Sequence, residues 1–256
     1  MKKALILILI PILTISSCKN KSQKEGELSQ IEIVNNTLQA HGKSTFDSHK
    51  ITFSVDNTTY TQEKENGRAI QSFSRYKDNI EHKGTYNGGY IEYFIDGDLQ
   101  EEGSYPAPML EKSLYGFLYA ANLPLSLATK DILYKKLDEV EIRNKKYFTI
   151  QASNVEMPSK IDDQFILYIN TENFLVEYIA LNHSLSGSIN QFRRLKNTRK
   201  INDVIFQDYI IFTPRDKELP LSMLFKEYNS AQLKDHRTIS FQNITVTPRD
   251  SLNLTY

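Results

Sequence analysis

Leu28, Ile31, Val34 and Leu38 recur at helical spacing and Gly42 follows as a stop, so the chain opens its folded part with an amphipathic helix. After it the period changes to two. Ile51, Phe53 and Val55 alternate with polar residues, the pattern of a half-buried strand. Further strands are predicted around 70–76, 80–85 and 90–95. The separators Asn66-Gly67, Lys77-Asp78-Asn79 and Asn87-Gly88-Gly89 carry turn chemistry, so these strands should meander antiparallel. The middle breaks the alternation. Pro106 and Pro108 introduce a segment in which Leu110, Leu114, Phe117, Leu118 and Ala121 share one helical face, ending near Asn122 and Pro124. Tyr115 and Tyr119 fall on its other side, so this helix is unusually apolar and wants cover over most of its circumference, or a ligand.

Strands then resume in pairs. Residues 135–142 and 147–153 flank Arg143-Asn144-Lys145-Lys146, and 164–169 and 175–181 flank Asn170-Thr171-Glu172-Asn173. The next pair is 189–196 and 204–213, bent at Ile201-Asn202-Asp203, and a last pair is predicted at 221–228 and 238–246. Two strands, 165–169 and 204–212, are apolar on both faces, so part of the sheet must be covered on both sides. No period of about 20 to 50 residues repeats, which argues against a solenoid or propeller.

Ahead of the first helix, Lys2-Lys3 precede the apolar run 4–12 and then the small residues Ser16-Ser17 before Cys18, the one cysteine of the chain. The run is shorter than the roughly 20 apolar residues a spanning helix needs, and its charged start and small-residue end have the composition of a signal peptide. Cys18 after two serines resembles the lipobox of bacterial lipoproteins, which implies removal of 1–17 and a diacylglycerol on the Cys18 thiol. By the sorting rule of such lipoproteins, Lys19 rather than Asp after the cysteine favours the outer membrane, on its periplasmic or its cell-surface face. Residues 18–27 are then anchor and flexible tether, and 28–256 a single domain.

Charge adds little to this picture. The chain carries 31 basic and 31 acidic residues, a balance that gives no electrostatic reason to hold nucleic acid. The basic run from Arg193-Arg194 to Arg199-Lys200 reads as solvated strand ends or a hairpin turn. With Cys18 spent on lipid, neither a disulfide nor a cysteine metal site is available, and a core must hold the domain. Its 15 Tyr and 13 Phe, with no Trp, lean towards β structure.

Catalytic chemistry is not visible. There is no nucleophile elbow, Walker loop or dinucleotide fingerprint, and Gly88-Gly89 lies between strands with no helix behind it. His41, His49, His82, His183 and His236 stand singly, without ligand spacing, and read as surface or strand-end residues. Asp96-Gly97-Asp98 and Asp162-Asp163 lack the further acidic positions of a calcium loop. No enzyme activity, metal or cofactor is expected. Asp250-Ser251-Leu252 resembles the O-glycosylation acceptor of secreted Bacteroidota proteins, which would place a glycan on Ser251.

In order, lipobox, tether, helix, antiparallel meander, central apolar helix and hairpins resemble the LolA/LolB-like lipoprotein carriers. Leu114-Tyr115-Gly116, Asn122-Leu123-Pro124-Leu125, Lys145-Lys146-Tyr147-Phe148 and Leu167-Tyr168-Ile169-Asn170 are similar to motifs of uncharacterised Bacteroidota lipoproteins of that class. The resemblance implies a mainly β (α+β) fold in which a strongly curved antiparallel sheet forms an incomplete barrel. The N-terminal and central helices would act as its lid. It further implies an acyl chain, lipid or lipopeptide held between sheet and helices, with Leu114, Phe117, Leu118, Phe165, Leu167, Val204 and Phe206 as the lining. The anchor at Cys18 fits a membrane-bound receptor better than a soluble shuttle. The alternative is an interaction module whose solid-cored domain meets a protein partner in an envelope complex.

Overall fold

The computed structural model describes residues 27–65, 68–87, 89–154, 164–182 and 189–249. The signal segment, Cys18, most of the tether, Asp162-Asp163, His183 and Ser251 lie outside the described residues.

The chain is mainly β, as its alternation predicts. Helix α1 (Gln30–Ala40) and the short α2 (Lys43–Ser48) lead into β1 (His49–Val55), β2 (Thr58–Glu65), β3 (Arg68–Lys77), β4 (Ile80–Asn87), β5 (Ile91–Ile95) and β6 (Asp98–Leu99). Helix α3 (Ala107–Ala121) follows, then β7 (Ile132–Ile142), β8 (Lys145–Asn154), β9 (Gln164–Asn170), β10 (Val176–Asn182), β11 (Gln191–Ile201) and β12 (Val204–Thr213). The chain continues through α4 (Leu224–Asn229), β13 (Lys234–Ile239) and β14 (Gln242–Pro248). The strands form two seven-stranded sheets, in the orders β14-β1-β2-β3-β4-β5-β6 and β13-β12-β11-β10-β9-β8-β7. Every neighbouring pair is antiparallel.

Three differences from the sequence pattern have local causes. Strand β2 is absent from the pattern because its residues, Thr-Thr-Tyr-Thr-Gln-Glu-Lys-Glu, show no apolar alternation; it is held by pairing with β1 and β3 on either side. The predicted strand 221–228 is instead a 3₁₀ turn, Leu221–Met223, running into α4. Leu221, Leu224 and Tyr228 fall on one helical side, and all three are buried against the second sheet. The predicted strand 238–246 is two strands in different sheets. The chain leaves the second sheet at Ile239 and joins the first at Gln242.

Asp208 of β12 pins that crossing. Its buried carboxylate accepts from the Phe241 backbone N–H at 2.9 Å, from Asn197 at 3.0 Å and from Arg199 at 2.5 Å. Burial by itself would raise the Asp208 pKa, but these bonds outweigh it and hold the group below the ordinary carboxylate value.

Helix α1 begins on a capping box, in which Ser29 Oγ accepts from the Glu32 N–H and the Glu32 carboxylate accepts from the Ser29 N–H. Its buried Ile33 packs into the core over β8, β9 and β10. Gly42 then turns the chain with a φ of +82°, and a Cβ there would sit 2.1 Å from the Asp203 carbonyl oxygen. Both the left-handed backbone and the close approach call for glycine.

Candidate functional site

Helix α3 starts after Pro106, carries Pro108 in its first turn and lies against both sheets. Leu114 and Leu118, 2% and 0% exposed, share one core with Ile51, Phe53, Phe73 and Ile91 of the first sheet and with Val204 and Phe206 of β12. Phe117 stacks on Tyr60 with ring centroids 4.3 Å apart. Tyr119, expected on the outer side, turns into a second core and meets Phe165 at 5.7 Å. The cover this helix requires is thus supplied by the protein itself, leaving Met109 and Tyr115 as its exposed large apolar residues.

The seven lining residues read from the sequence are therefore divided between two packed cores. Leu114, Phe117, Leu118, Val204 and Phe206 surround α3 on the first. Phe165 and Leu167 belong to the second, with Ile33, Ile150 and Leu181. A cavity of about 10 Å³ lies in the second core beside Val34, Leu127 and Leu167. Another, of about 20 Å³, lies beside Val204 and Phe206. Spaces of this size hold a water molecule or less, so a larger guest enters only if side chains or α3 move.

The polar contacts of α3 gather at its two ends. Just before it, the Tyr105 hydroxyl donates to the Ile91 carbonyl at 2.8 Å. Just after it, the Asn122 amide donates to the Gln62 side-chain oxygen at 2.6 Å and to the Leu118 carbonyl at 2.7 Å. One guanidinium nitrogen of Arg193 donates to the Ala120 carbonyl at 3.2 Å, and the other terminal nitrogen to the Gln191 side chain at 3.4 Å. Between these ends Leu110, Leu114, Phe117, Leu118 and Tyr119 pack against the sheets.

Arg193 is the least expected residue here. It stands in the basic run assigned to solvated strand ends, yet it is 4% exposed. Its guanidinium carbon lies 4.6 Å from the Tyr209 ring centroid, its Nε has no hydrogen-bond partner, and no carboxylate among the described residues pairs with it. Burial lowers its pKa, and the Tyr209 hydroxyl partly opposes that. The alternation of β11 carries the signal. Phe192 belongs to the core on the opposite side of the sheet, so Arg193 shares the inner face with Leu195.

His41 is likewise buried rather than on the surface. Its Nδ1–H donates to the Thr37 carbonyl at 2.8 Å, which leaves Nε2 to accept from the Val176 N–H at 3.5 Å. Burial pushes its pKa down to about 4, so the ring is neutral at physiological pH. Gln207 beside it donates to the Val176 carbonyl at 3.1 Å. The 20 Å³ cavity is lined by His41, Asn122, Arg193, Gln207 and Tyr209 together with apolar residues, so it is polar at the C-terminal end of α3. Among the described residues, no three of His, Cys, Asp and Glu are grouped to hold a metal ion.

The profile of a family of unknown function, DUF6503, matches residues 2–240. No curated protein matches the chain in sequence. Among solved structures, a DUF1329 family protein from Desulfovibrio piger shares 8% identity at a TM-score of 0.42, over 86% of this chain and 94% of that one. A domain from Vibrio parahaemolyticus described as an outer membrane lipoprotein-sorting protein shares 6% identity at 0.36, over 87% and 95%. Lipoprotein LppX from Mycobacterium tuberculosis shares 8% identity at 0.24, over 60% and 89%. Likenesses of this degree transfer neither ligand nor activity to the chain.

Proposed function

The chain belongs to DUF6503, a family of unknown function, and we propose that it is an envelope lipoprotein, anchored through Cys18 to the outer membrane, that binds a hydrophobic ligand beneath α3. The ligand class is an acyl chain, a lipid or a lipopeptide, and the protein does no catalysis. One observation carries this reading. The body of α3 packs on both sheets with Leu114, Phe117, Leu118 and Tyr119, while the hydrogen bonds of Tyr105, Asn122 and Arg193 stand at its two ends. Lifting such a helix breaks few hydrogen bonds and opens an apolar bed of Phe53, Phe73, Val204 and Phe206. Each CH₂ of a guest laid there regains about 0.8 kcal/mol of burial. The described state is the closed one.

The test is direct. Lipoprotein purified from membranes should release a lipid seen by native mass spectrometry, and after delipidation should bind a fluorescent fatty acid. Retention of no lipid together with no uptake of the probe refutes ligand binding. Labelling by a clickable palmitate that is lost in Cys18→Ser supports the anchor, and labelling that survives the substitution refutes it.

The close packing of both cores favours a second reading, a solid interaction module for an envelope protein. On that reading the same protein comes out of membranes empty of lipid, and with one stoichiometric partner.

A further inference from the structure

We propose that the ligand bound beneath α3 carries an anionic head group, a carboxylate or a phosphate, and that Arg193 pairs with it at the C-terminal end of the helix. This rests on the ligand-binding reading above and specifies what kind of ligand the site takes.

Arg193 is a buried charge without a counter-charge among the described residues. A guanidinium removed from water loses a large hydration energy, and buried cations are ordinarily matched by a carboxylate. Arg199, six residues along the same strand, shows the ordinary solution: it pairs with the buried Asp208 at 2.5 Å. Arg193 is more deeply buried and has only two neutral oxygens, from Ala120 and Gln191, and the face of Tyr209. The Ala120 carbonyl lies at the partly negative end of a helix, and an aromatic face attracts cations, but both supply less than one full charge. Its Nε–H points to no acceptor.

The surroundings fit a head group. The 20 Å³ cavity touches Arg193 directly, and Asn122 and Gln207 line it with amide hydrogens already committed, Asn122 to Gln62 and Leu118 and Gln207 to Val176 and Thr198, which leaves the Arg193 Nε–H as the unengaged donor of the three. His41 also lines it and is neutral near pH 7, which leaves Arg193 as the cation among its lining residues. On the other side, Val204, Phe206 and Leu125 connect the cavity to the apolar core under Leu114 and Leu118. One uncompensated cation with a free Nε–H at the end of an apolar bed matches an amphiphile with an acidic end. A simple acyl chain would leave the charge of Arg193 uncompensated. Entry of the head group exchanges the Ala120 carbonyl for a full negative charge and moves the last turn of α3.

The experiment compares ligands that differ only at the head. The delipidated full-length lipoprotein in nanodiscs is loaded with a fluorescent acyl probe and titrated at pH 7.5 with hexadecanoic acid or with hexadecan-1-ol. The acid should displace the probe at a concentration at least tenfold lower. Arg193→Gln should bring the two ligands to within about threefold of each other, whereas Arg193→Lys should retain part of the preference. Equal displacement by acid and alcohol in the wild type overturns the pairing while leaving the hydrophobic site intact. Displacement by neither, with no probe bound, overturns the ligand-binding reading itself. A second measurement does not depend on the variants folding. The carboxyl signal of ¹³C-labelled hexadecanoic acid on the wild type should titrate at a lower pH than in protein-free nanodiscs, because a neighbouring cation favours the ionised acid. An unchanged titration refutes the pairing. Phosphatidic acid tested against diacylglycerol by the same displacement separates a phosphate from a carboxylate: a tenfold preference confined to one acid identifies it, and none for either overturns the proposal.

Discussion

Adjacent residues of β9 in the second sheet point into two different cores: Phe165, Leu167 and Ile169 face α1 and the segment after α3, while Ile166 and Tyr168 face α4. Adjacent residues of β1 in the first sheet have unlike fates. Ile51, Phe53 and Val55 enter the core under α3, whereas Thr52 and Ser54 stand on a face of hydroxyls, opposite Thr61 and Thr59 at 3.2 and 3.1 Å. Among the described residues, none of the apolar clusters includes that face. Among the described residues, the second sheet is thus packed on both faces and the first on one. The inner face of the first sheet packs partly on α3 and partly on β12 and the Phe241 crossing, so α3 covers only a share of it.

Four experiments sharpen or break this contrast. The largest effect is expected on the two-sided sheet. Phe192 is fully buried and packs on Tyr178 and Tyr228 beneath α4, so Phe192→Ala should cost about 3–5 kcal/mol in urea unfolding. A loss under about 1 kcal/mol would mean that α4 is not a true second layer.

Acid should loosen the joint between α1 and the second sheet by a smaller amount. His41 has a folded pKa of about 4, below the usual value near 6.5, so the unfolded chain binds the proton more readily. The neutral ring contributes its full stability above pH 6.5, and that contribution falls away as the pH drops towards 4. Between pH 7.5 and pH 5 the loss attributable to His41 is about 2 kcal/mol. Urea midpoints of wild type and His41→Gln measure it, and parallel pH profiles would refute the assignment.

Gly84→Ala probes the inner face of the first sheet. An added Cβ would meet the Phe73 ring at 2.4 Å, so the ring must pivot, at a cost of about 1 kcal/mol. On the hydroxyl face Thr61→Ala should stay within about 0.5 kcal/mol. A large loss there would show that this face is covered.

Much of the fold could be read in the chain. The spacing of Leu110, Leu114, Phe117 and Leu118 gave the central helix, and the segments 165–169 and 204–212, apolar on both faces, gave strands covered on both sides. Burial alone does not say what does the covering. Phe165 and Val204 were rightly placed inside, yet they belong to separate cores, because assignment to one or the other depends on where α1 and α3 dock. Strand β2 was invisible because its stability comes from its neighbours. The break at Ser240 was invisible too, since the alternation of Ile239 and Phe241 with polar residues continues through the change of sheet. Arg193 was hidden by its neighbour. Beside Arg194 it looked like half of a charged surface run, and only the strand's alternation separates the two.

The pairing of β14 with β1 brings Pro248 beside His49, so the outer edge of the first sheet is completed by nearly the last described residues of the chain. A polypeptide that crosses a membrane N-terminus first therefore carries β1 with one side unmatched until the C-terminal strand has followed it. Such long-range closure is slow, and an open strand edge invites pairing with other chains. Premature termination before Gln242 would leave every helix and both hairpin series encoded, yet expose a strand edge along β1. Chaperones and proteases would have that edge to act on.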